Sequence, residues 1–373
     1  MSKLKVLTVV GTRPEVIRLS RVINNLDKNL DNILVHTGQN YDYELNQIFF
    51  KELNIKHPKY QIAVDGNSPI QSISQILKEV DKIIIKEKPD AFLVLGDTNS
   101  CLSAYAAKRS KIPIFHIESG NRCYDERVPE EVNRKIIDHL SDINITYSNI
   151  AKENLLRENI SPDKVFKIGS PLYEIYYFYQ SRIKKSKILN KLKIKKRKYY
   201  LLSVHREENI DDPNNFKKFL NLLLYFDKKN DYKVIVSAHP RTMKKINKNN
   251  INKFKNIIFH KPFSYFDYSN LQLNAKVVLS DSGSITEESN IMNFDAINLR
   301  STNERQEGMQ YGAVPMSHFV IEDIARLIKI FENKVNKNEI ILDYKFKNFS
   351  KIFLNILISY INYIKEYTWK KKI

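Results

Sequence analysis

The chain has 373 residues, 42% of them hydrophobic, which is enough for two globular domains of roughly 150 to 200 residues each. The formal charge of +19 comes mostly from Lys dispersed among Asn and Ile, which indicates a compositional bias and excludes nucleic acid as the expected partner. The two cysteines are too few for a disulfide framework and lack metal-ligand spacing, so a reducing compartment such as the cytoplasm is expected. No apolar stretch approaches about 18 residues, so a membrane span is not expected.

The first half of the chain alternates short β-branched runs with longer amphipathic patterns, as βαβ units do. Six strands are predicted in chain order: Lys5–Val10, Asn32–Thr37, Ala91–Gly96, Ile112–Glu118, Ile143–Thr146 and Val165–Ile168. The helical patterns between them include Glu15–Leu26, Ser72–Lys86 and Glu130–Leu140. This alternation predicts a parallel sheet covered by helices.

The same alternation restarts after a Lys-rich stretch at residues 183–198. Five further strands are predicted: Tyr199–Val204, Lys233–Ala238, Ile257–His260, Val277–Ser280 and Ala296–Leu299. We therefore expect an α/β protein of two Rossmann-like domains with parallel sheets, residues 1–174 and 175–351. A C-terminal helix within residues 352–373 is expected to pack back on the first domain.

Glycine and arginine positions indicate which edge of each predicted sheet binds ligands. Eight of the nine glycines follow predicted strands or lie in charged motifs, where glycine lets the backbone turn sharply and approach a ligand. Nine of the 15 arginines lie in the same segments and offer a planar fork for phosphate or carboxylate. For about half of these arginines, pairing with a neighbouring Glu is the alternative. The segment Gly11–Glu15 combines both features and is a candidate phosphate site.

Three carboxylates follow predicted strands of the first domain and are candidates for acid and base catalysis. Asp97 follows the third strand, where a helix N-cap is the commoner role for this motif alone. Glu118 ends the fourth strand, and Glu130 begins the next helix. Clustered carboxylates raise one another's pKa, which can provide one acid and one base near neutral pH. In the alternative, Glu118 and Glu130 only form salt bridges with Arg122 and Arg134.

The second domain carries residues suited to a nucleotide diphosphate. His205 and His239 each follow a predicted strand, and Arg241 lies beside His239. Each histidine is a candidate general acid or phosphate contact, and an ordinary hydrogen-bonding role is the alternative. The segment Ser280–Glu288 combines a strand end, hydroxyls, glycine and a helix start, which makes a nest of backbone N–H groups. Arg305 follows the next strand, so this domain is predicted to hold the diphosphate.

Taken in order, these motifs resemble the non-hydrolysing UDP-N-acetylglucosamine 2-epimerase family, which has the two-domain glycosyltransferase-B architecture. The resemblance spans nearly the whole chain, and seven motifs carry it: GTRPE at 11–15, GDT at 96–98, HIESGNR at 116–122, PEEVNR at 129–134, HREEN at 205–209, DSGSITEES at 281–289 and the segment around Arg305. Each motif is weak alone, whereas the ordered set is specific.

The resemblance implies four acid and base residues, Asp97, Glu118, Glu130 and His205. It also implies that UDP is held by Arg13, Ser282, Glu288 and Arg305, with Glu288 on the ribose. Together with the motifs above, the expected substrate-binding set is Arg13, Arg18, Arg122, His239, Arg241, Ser282, Gly283, Ser284, Glu288 and Arg305. Arg18 stands where the family commonly has Lys. No metal or cofactor is implied, and homodimers are usual in the family.

Residues 120–129 depart from the pattern of enzymes that act on UDP-N-acetylglucosamine itself. They resemble a branch that inverts C2 of UDP-2-acetamido-2,6-dideoxy-L-talose to make UDP-N-acetyl-L-fucosamine for capsule or O-antigen synthesis, as do residues 40–44, 239–242 and 271–274. The alternatives are a UDP-N-acetylglucosamine 2-epimerase, a hydrolysing epimerase, a UDP-sugar glycosyltransferase of the same fold and, from another class, a polyanion-binding protein. The preferred hypothesis places the carboxylates and the diphosphate loops on opposite sides of one crevice between the domains.

Overall fold

A computed structural model describes residues 3–38, 48–64, 68–229, 231–238, 240–247, 254–333 and 341–371, without the side chains of residues 240, 241 and 247. The chain forms two compact units. Unit 1 comprises Met1–Tyr177 and Leu342–Ile373, and unit 2 comprises Phe178–Ile341. The ten residues from Leu342 to Lys351, which the sequence analysis placed in the second domain, lie in unit 1.

Unit 1 contains a parallel sheet with the strand order β3-β2-β1-β4-β5-β6-β7 among the described residues. Its strands are β1 Lys5–Val10, β2 Asp31–His36, β3 Tyr60–Gln61, β4 Ala91–Leu95, β5 Ile114–Ile117, β6 Ile143–Thr146 and β7 Val165–Lys167. The edge strand β3 was not predicted, because two residues are too few to show an alternating pattern.

The helices of the first half of the chain pack around this sheet. They are α1 Arg13–Asn29, α2 Ile48–Glu52, α3 Pro69–Glu87, α4 Ala104–Arg109, α5 Pro129–Leu140, α6 Asn149–Arg157 and α7 Pro171–Lys184, with 3₁₀ helices at Asn99–Ser103, Pro162–Lys164 and Leu342–Tyr344. The last of these α-helices, α7, continues past Tyr177 into unit 2. The buried faces of α3 and α4 pack with β1, β2 and β4 in one apolar core. Burial of this surface is the main source of stability for such a unit.

Unit 2 repeats the design with a parallel sheet in the order β10-β9-β8-β11-β12. Its strands are β8 Tyr199–Ser203, β9 Lys233–Ser237, β10 Ile257–His260, β11 Val278–Ser280 and β12 Ala296–Asn298. Its helices are α8 Ile188–Lys191, α9 Glu207–Ile210, α10 Pro213–Lys229, α11 Pro240–Asn247, α12 Tyr265–Asn274, α13 Ile285–Met292, α14 Gln306–Gln310 and α15 Ile321–Glu332. The prediction of an α/β fold with two parallel sheets is confirmed.

The last helix, α16 Phe349–Tyr367, packs against α1 of unit 1. Phe353, Leu357 and Ile361 are buried at the four-residue spacing that places side chains on one helix face. Polar contacts hold both ends of α16, since Asn25 Nδ2 donates to the Ser350 carbonyl at 3.1 Å and Lys365 pairs with Asp90 at 3.0 Å. Across the described part of the chain, no helix combines the length and apolarity needed to cross a bilayer.

Strand order reverses direction between β1 and β4 in unit 1, and between β8 and β11 in unit 2. In open parallel sheets, ligands bind at such switch points, beyond the carboxyl ends of the strands. The turns that follow β1, β4 and β5, and those that follow β8 and β11, are therefore the places where functional side chains are expected.

Candidate active site

The turn after β1 is closed internally by Glu15, which lies in the first turn of α1. The carboxylate of Glu15 accepts from the N–H groups of Gly11 at 2.5 Å and Thr12 at 3.3 Å, and from Thr98 Oγ1 at 2.6 Å. These donors therefore already have an acceptor within the turn, and the phosphate site at Gly11–Glu15 stays a prediction that these N–H groups do not support. The capping pattern Thr-x-x-Glu was a sequence signal for this role of Glu15.

Burial raises the pKa of Glu15 to about 7, although four hydrogen bonds to its carboxylate oppose the shift. Because the folded-state pKa lies above the ordinary value of 4.5, folding binds a proton between these two pH values. The contribution of Glu15 to the free energy of unfolding is therefore fully present below pH 4.5 and is lost as the pH rises through about 7. The loss corresponds to about 3 kcal/mol of unfolding free energy.

Glu15→Gln should remove this pH dependence, because Gln resembles the protonated side chain but does not titrate. We expect the stability of the wild-type protein, relative to the variant, to fall as pH rises from about 5 to 8. Urea unfolding of both proteins across that range measures the difference. Stability curves that run parallel would contradict the prediction.

Asp97 follows β4 and adjoins Thr98, so the turn after β1 and the turn after β4 are joined through Glu15. Its carboxylate accepts from Arg134 Nε at 2.7 Å, and its carbonyl accepts from Asn133 Nδ2 at 2.8 Å. The 3₁₀ helix that follows is capped by Thr98, whose Oγ1 accepts from Ser100 N. The carboxylate of Asp97 is therefore not a helix cap, and its side chain stays 20% exposed.

Glu118 follows β5, the strand next to β4, with a backbone φ of +75°. A residue with a side chain rarely adopts this left-handed conformation, and such strain is typical of functional positions. Its carboxylate pairs with Arg18 and accepts from Tyr147 OH at 3.1 Å. Arg18 is itself buried, so the structure gives it an ion pair with Glu118 and not the open phosphate contact expected from the sequence.

Glu130 lies in the first turn of α5 and is half-buried. Its neighbour Glu131 is buried and pairs with Arg134 at 2.6 Å, while accepting from the N–H groups of Cys123 and Tyr124. Burial raises the pKa of Glu131, but the N–H of Cys123, the Arg134 guanidinium and the N–H of Tyr124 together hold it below its usual range. Arg134 thus bridges Asp97 and Glu131.

The contacts that the structure gives the Arg122 guanidinium are with protein groups, and they do not support its predicted contact with substrate. Its side chain is fully buried and donates to Asp138 at 2.7 Å, to Glu158 at 2.6 Å and to the carbonyl of Asn121 at 2.7 Å. The guanidinium therefore anchors the turn after β5. The alternative of a salt bridge from Glu118 to Arg122 is not found. Glu118 pairs with Arg18, and Arg122 pairs with two other carboxylates.

In unit 2, Asp281 joins the turns after β8 and β11 at the switch point. Its buried carboxylate accepts from the N–H groups of His205 and Arg206 at 3.0 Å and from Asn209 Nδ2 at 3.0 Å. Burial raises its pKa, but His205 and these donors together lower it to about 2. His205 Nδ1 lies 3.1 Å from Asp281 Oδ1, which fixes the ring while 38% of the side chain stays exposed.

The predicted diphosphate loop follows β11 and leads into α13. Ser282 Oγ lies 2.9 Å from Ser284 Oγ, and Ser284 Oγ donates to Glu288 Oε1 at 2.8 Å. The other oxygen of Glu288 accepts from Gln272 Nε2 at 2.6 Å. Gln272 belongs to the segment 271–274, so that segment helps to orient the residue expected to bind ribose.

Two buried ion pairs support this loop. Arg305 Nη2 contacts Glu287 at 2.6 Å, and Arg300 Nη1 contacts Glu304 at 2.5 Å. Gly283 packs so closely on Glu304 that a Cβ there would overlap its Oε1. Arg305 is thus buried beside the loop. Glu287 and Glu304 are supporting residues that were not among the predicted site residues.

Three further residues were predicted to bind substrate: Arg13, His239 and Arg241. The guanidinium of Arg13, at the start of α1, lies over the Phe49 ring with 5.7 Å to its centroid. His239 and the side chain of Arg241 lie outside the described residues, as does the segment 40–44. Within the part that is described, no group of three or more His, Cys, Asp or Glu side chains is arranged to hold a metal ion.

Comparison with known proteins places the chain in one family. Residues 24–348 match the family model described as UDP-N-acetylglucosamine 2-epimerase. The structure is similar to UDP-N-acetylglucosamine 2-epimerase from Rickettsia bellii, with 45% identity and a TM-score of 0.91 over 99% of this chain and 100% of that one. It is also similar to the Methanocaldococcus jannaschii UDP-GlcNAc 2-epimerase in complex with UDP-GlcNAc and UDP, with 32% identity and a TM-score of 0.89 over 95% and 100%.

Another relative is the UDP-2,3-diacetamido-2,3-dideoxy-D-glucuronate 2-epimerase of Pseudomonas aeruginosa. It is 32% identical over 83% of this chain and 87% of its own length. These relatives are all 2-epimerases of UDP-linked sugars. The chain therefore belongs to the non-hydrolysing UDP-N-acetylglucosamine 2-epimerase family of isomerases, and its two parallel-sheet units are of the glycosyltransferase-B type.

Proposed function

We propose that this protein inverts C2 of a UDP-linked 2-acetamido sugar by eliminating UDP and adding it back. The observation that carries the proposal is the placement of Asp97 and Glu118 at the ends of the neighbouring strands β4 and β5, each held by a buried arginine. Two carboxylates at one sheet edge can remove and return protons, which is the chemistry that inversion requires. Family membership supports the same reaction.

Elimination is needed because no carbonyl group adjoins C2 to acidify its hydrogen. In the first step a carboxylate takes the C2 proton, the C–H electrons form the C1–C2 double bond, and the anomeric C–O bond breaks. UDP leaves with that bonding pair, and a 2-acetamidoglycal remains. In the second step a proton is delivered to the opposite face of C2 while a UDP oxygen attacks C1, so all atoms balance and no oxidant is consumed.

The proposal gives Asp97, Glu118, Glu130 and His205 the proton-transfer roles. His205 is supported by its contact with Asp281, since a ring fixed at Nδ1 can present Nε2 to a substrate oxygen. The loop Ser282–Ser284 is proposed to hold the diphosphate through its N–H groups and hydroxyls, where preorganised donors stabilise the leaving group. Glu288 is proposed to hold ribose, and Arg305 to hold UDP.

Two sugars are proposed as candidate substrates. The segment 120–129 favours UDP-2-acetamido-2,6-dideoxy-L-talose by its resemblance, while the names of the relatives favour UDP-N-acetylglucosamine, with UDP-N-acetylmannosamine as product. The P. aeruginosa relative is a 2-epimerase of a third UDP-sugar, UDP-2,3-diacetamido-2,3-dideoxy-D-glucuronate. Use of the product in surface polysaccharide synthesis stays a prediction.

Incubation with a panel of UDP-linked 2-acetamido sugars, without an acceptor, tests the proposed function. The expected product is the C2 epimer still linked to UDP, in an equilibrium reached from either side. Free sugar with UDP would instead identify a hydrolysing epimerase. If no substrate changes until an acceptor is added, the protein is a glycosyltransferase and the proposal fails.

We also propose that the protein is a homodimer joined through unit 1. An apolar groove of about 450 Å³ lies between α3, α4 and α5, lined by Ile73, Leu77, Leu102, Tyr105, Ile136, His139 and Leu140. Tyr105 and Ile136 are 55% and 47% exposed, and large apolar side chains at a groove are typical of protein interfaces. Tyr105→Glu should convert the dimer to a monomer in light scattering, whereas Ile330→Glu, at an exposed position of unit 2, should not.

A further inference from the structure

Gln272 lies on α12, and its side chain is buried. Its Nε2 atom donates to Oε2 of Glu288, on α13, at 2.6 Å. Because a carboxylate oxygen only accepts, the amide nitrogen must face it, and the orientation of the Gln272 amide is defined. The helix that carries it is also held, since the Leu271 carbonyl accepts from the buried Tyr199 hydroxyl at 2.6 Å. Glu288 therefore has a fixed hydrogen-bond donor outside its own loop.

The carboxylate of Glu288 is held at both of its oxygens. Ser284 Oγ donates to Oε1 at 2.8 Å from the start of α13, while Gln272 contacts Oε2 from α12. Each oxygen of a carboxylate can accept two hydrogen bonds, so both can still accept from a ligand. Glu288 is half-buried and not sealed from solvent. The two side-chain donors thus orient a pair of acceptors before any ligand binds.

A ribose carries hydroxyl groups at its 2′ and 3′ carbons, which are neighbours, and both hydroxyls lie on the same face of the ring. A carboxylate held in one orientation can accept from both, one on each oxygen, as it does in bidentate pairing with arginine. A 2′-deoxyribose offers only one of these donors. A site built for a hydroxyl group rejects an analogue that lacks it, because a polar atom of the site then has no partner. An oriented carboxylate can therefore distinguish a ribonucleotide from a 2′-deoxyribonucleotide.

Without the Gln272 amide, the Glu288 side chain would have to be ordered when the ligand binds. That ordering costs conformational entropy, and a donor that orders the side chain beforehand removes the cost from binding. We infer that Gln272 is a positioning residue that gives Glu288 its preference for a ribonucleotide over a 2′-deoxyribonucleotide. The inference rests on the proposed function for the ribose contact of Glu288, but its test needs neither epimerisation nor a particular sugar.

Gln272→Met tests the inference, because methionine is unbranched and of similar length but cannot donate. Ser284 is a less suitable target, since it lies in the loop proposed to hold the diphosphate. Calorimetric titration with UDP and with 2′-deoxy-UDP gives the two dissociation constants. We expect the wild-type protein to bind 2′-deoxy-UDP about tenfold or more weakly than UDP, and this ratio to fall to about twofold in Gln272→Met.

Two results of this titration would overturn the inference. Equal affinity of the wild-type protein for the two nucleotides would show that Glu288 does not contact the 2′-hydroxyl group. An unchanged ratio in Gln272→Met, or in Gln272→Leu if the first variant does not fold, would show that Gln272 has no part in the preference. A wild-type protein that binds neither nucleotide would refute the proposed UDP site as well. A nucleotide preference that depends on Gln272 in a protein without epimerase activity would refute only the proposed reaction.

A second measurement separates an effect through Glu288 from a general loosening of α12. In a Glu288→Gln background, Gln272→Met should not change the ratio further, because the carboxylate that it positions is gone, and a further change would contradict the inference. Asn270→Leu is the matched control, since Asn270 is a buried amide on the same helix that donates to the Ile183 carbonyl at 2.8 Å. It should lower the unfolding midpoint without changing the ratio. A ratio that falls as far in Asn270→Leu as in Gln272→Met would refute the positioning role.

Discussion

Asp97→Asn and Glu118→Gln are each expected to lower kcat by about two to four orders of magnitude. Both changes remove a group that can take or give a proton, while an oxygen remains to accept from Arg134 or from Arg18 and Tyr147. The turns should therefore keep their shape. Initial-rate measurements on the preferred UDP-sugar give kcat, and calorimetric titration with UDP gives the affinity. We expect that affinity to be unchanged, because the loop proposed to hold UDP lies in unit 2.

Asp90→Asn provides the control for these variants. Asp90 precedes β4, accepts from the N–H of Lys5 and pairs with Lys365 at the opposite end of the strands. It should keep wild-type kcat. Full activity in both Asp97→Asn and Glu118→Gln would remove the acid and base assignment, whereas loss of UDP affinity would indicate that these carboxylates act in binding.

Gly283→Ala is expected to weaken UDP binding by roughly tenfold or more, which corresponds to at least about 1.4 kcal/mol of binding free energy. The new methyl group would overlap Oε1 of Glu304, and Glu304 cannot swing away without leaving Arg300, to which it is bound in the buried interior. Separating a buried pair leaves a charge without its partner, so the loop is expected to shift instead. Calorimetry with UDP measures the loss.

Gly312→Ala tests whether any glycine replacement in unit 2 has this effect. Gly312 has a φ of +57°, and a Cβ there would meet no described atom within 4 Å. The substitution should cost about 1 kcal/mol of stability from backbone strain and leave UDP affinity unchanged. If Gly283→Ala binds UDP as tightly as the wild-type protein, the loop Ser282–Ser284 does not hold the diphosphate.

The fold was predictable because alternation of apolar runs and helical patterns is a local property of the sequence. Strands β1, β6 and β10 have the predicted bounds, and most others differ by one residue at an end, where hydrogen bonding and not side-chain pattern sets the limit. The edge strand β3 is too short for any pattern. Family membership was also predictable, because it depends on the order of motifs along the chain.

The partners of charged side chains could not be predicted from spacing. Arg122 was expected to contact substrate, yet it is buried against Asp138 and Glu158, which lie 16 and 36 residues further along the chain. The same holds for Arg18, whose partner Glu118 is 100 residues away. Pairs of this kind form only when the sheet brings distant loops together. A local motif identifies the charged residue but not its ion-pair partner.

The positive φ of Glu118 is a second feature that the sequence conceals, since residues other than glycine give little sign of a left-handed conformation. Asp138 likewise lies mid-helix in α5 without a motif that marks it. Glu15 and Asp281, by contrast, lie inside motifs from which other residues were chosen as the site candidates. A capping pattern for Glu15, and a strand end for Asp281, were signals that could have found them.

Turnover in deuterated water tests the elimination mechanism most directly. Removal of the C2 proton by a carboxylate that exchanges with solvent requires the epimer to carry one deuterium at C2, which mass spectrometry and proton NMR of the product both detect. We predict one deuterium in every epimerised molecule. Epimer that forms at the normal rate with hydrogen retained at C2 would contradict proton abstraction, and with it the role of the two carboxylates at the ends of β4 and β5.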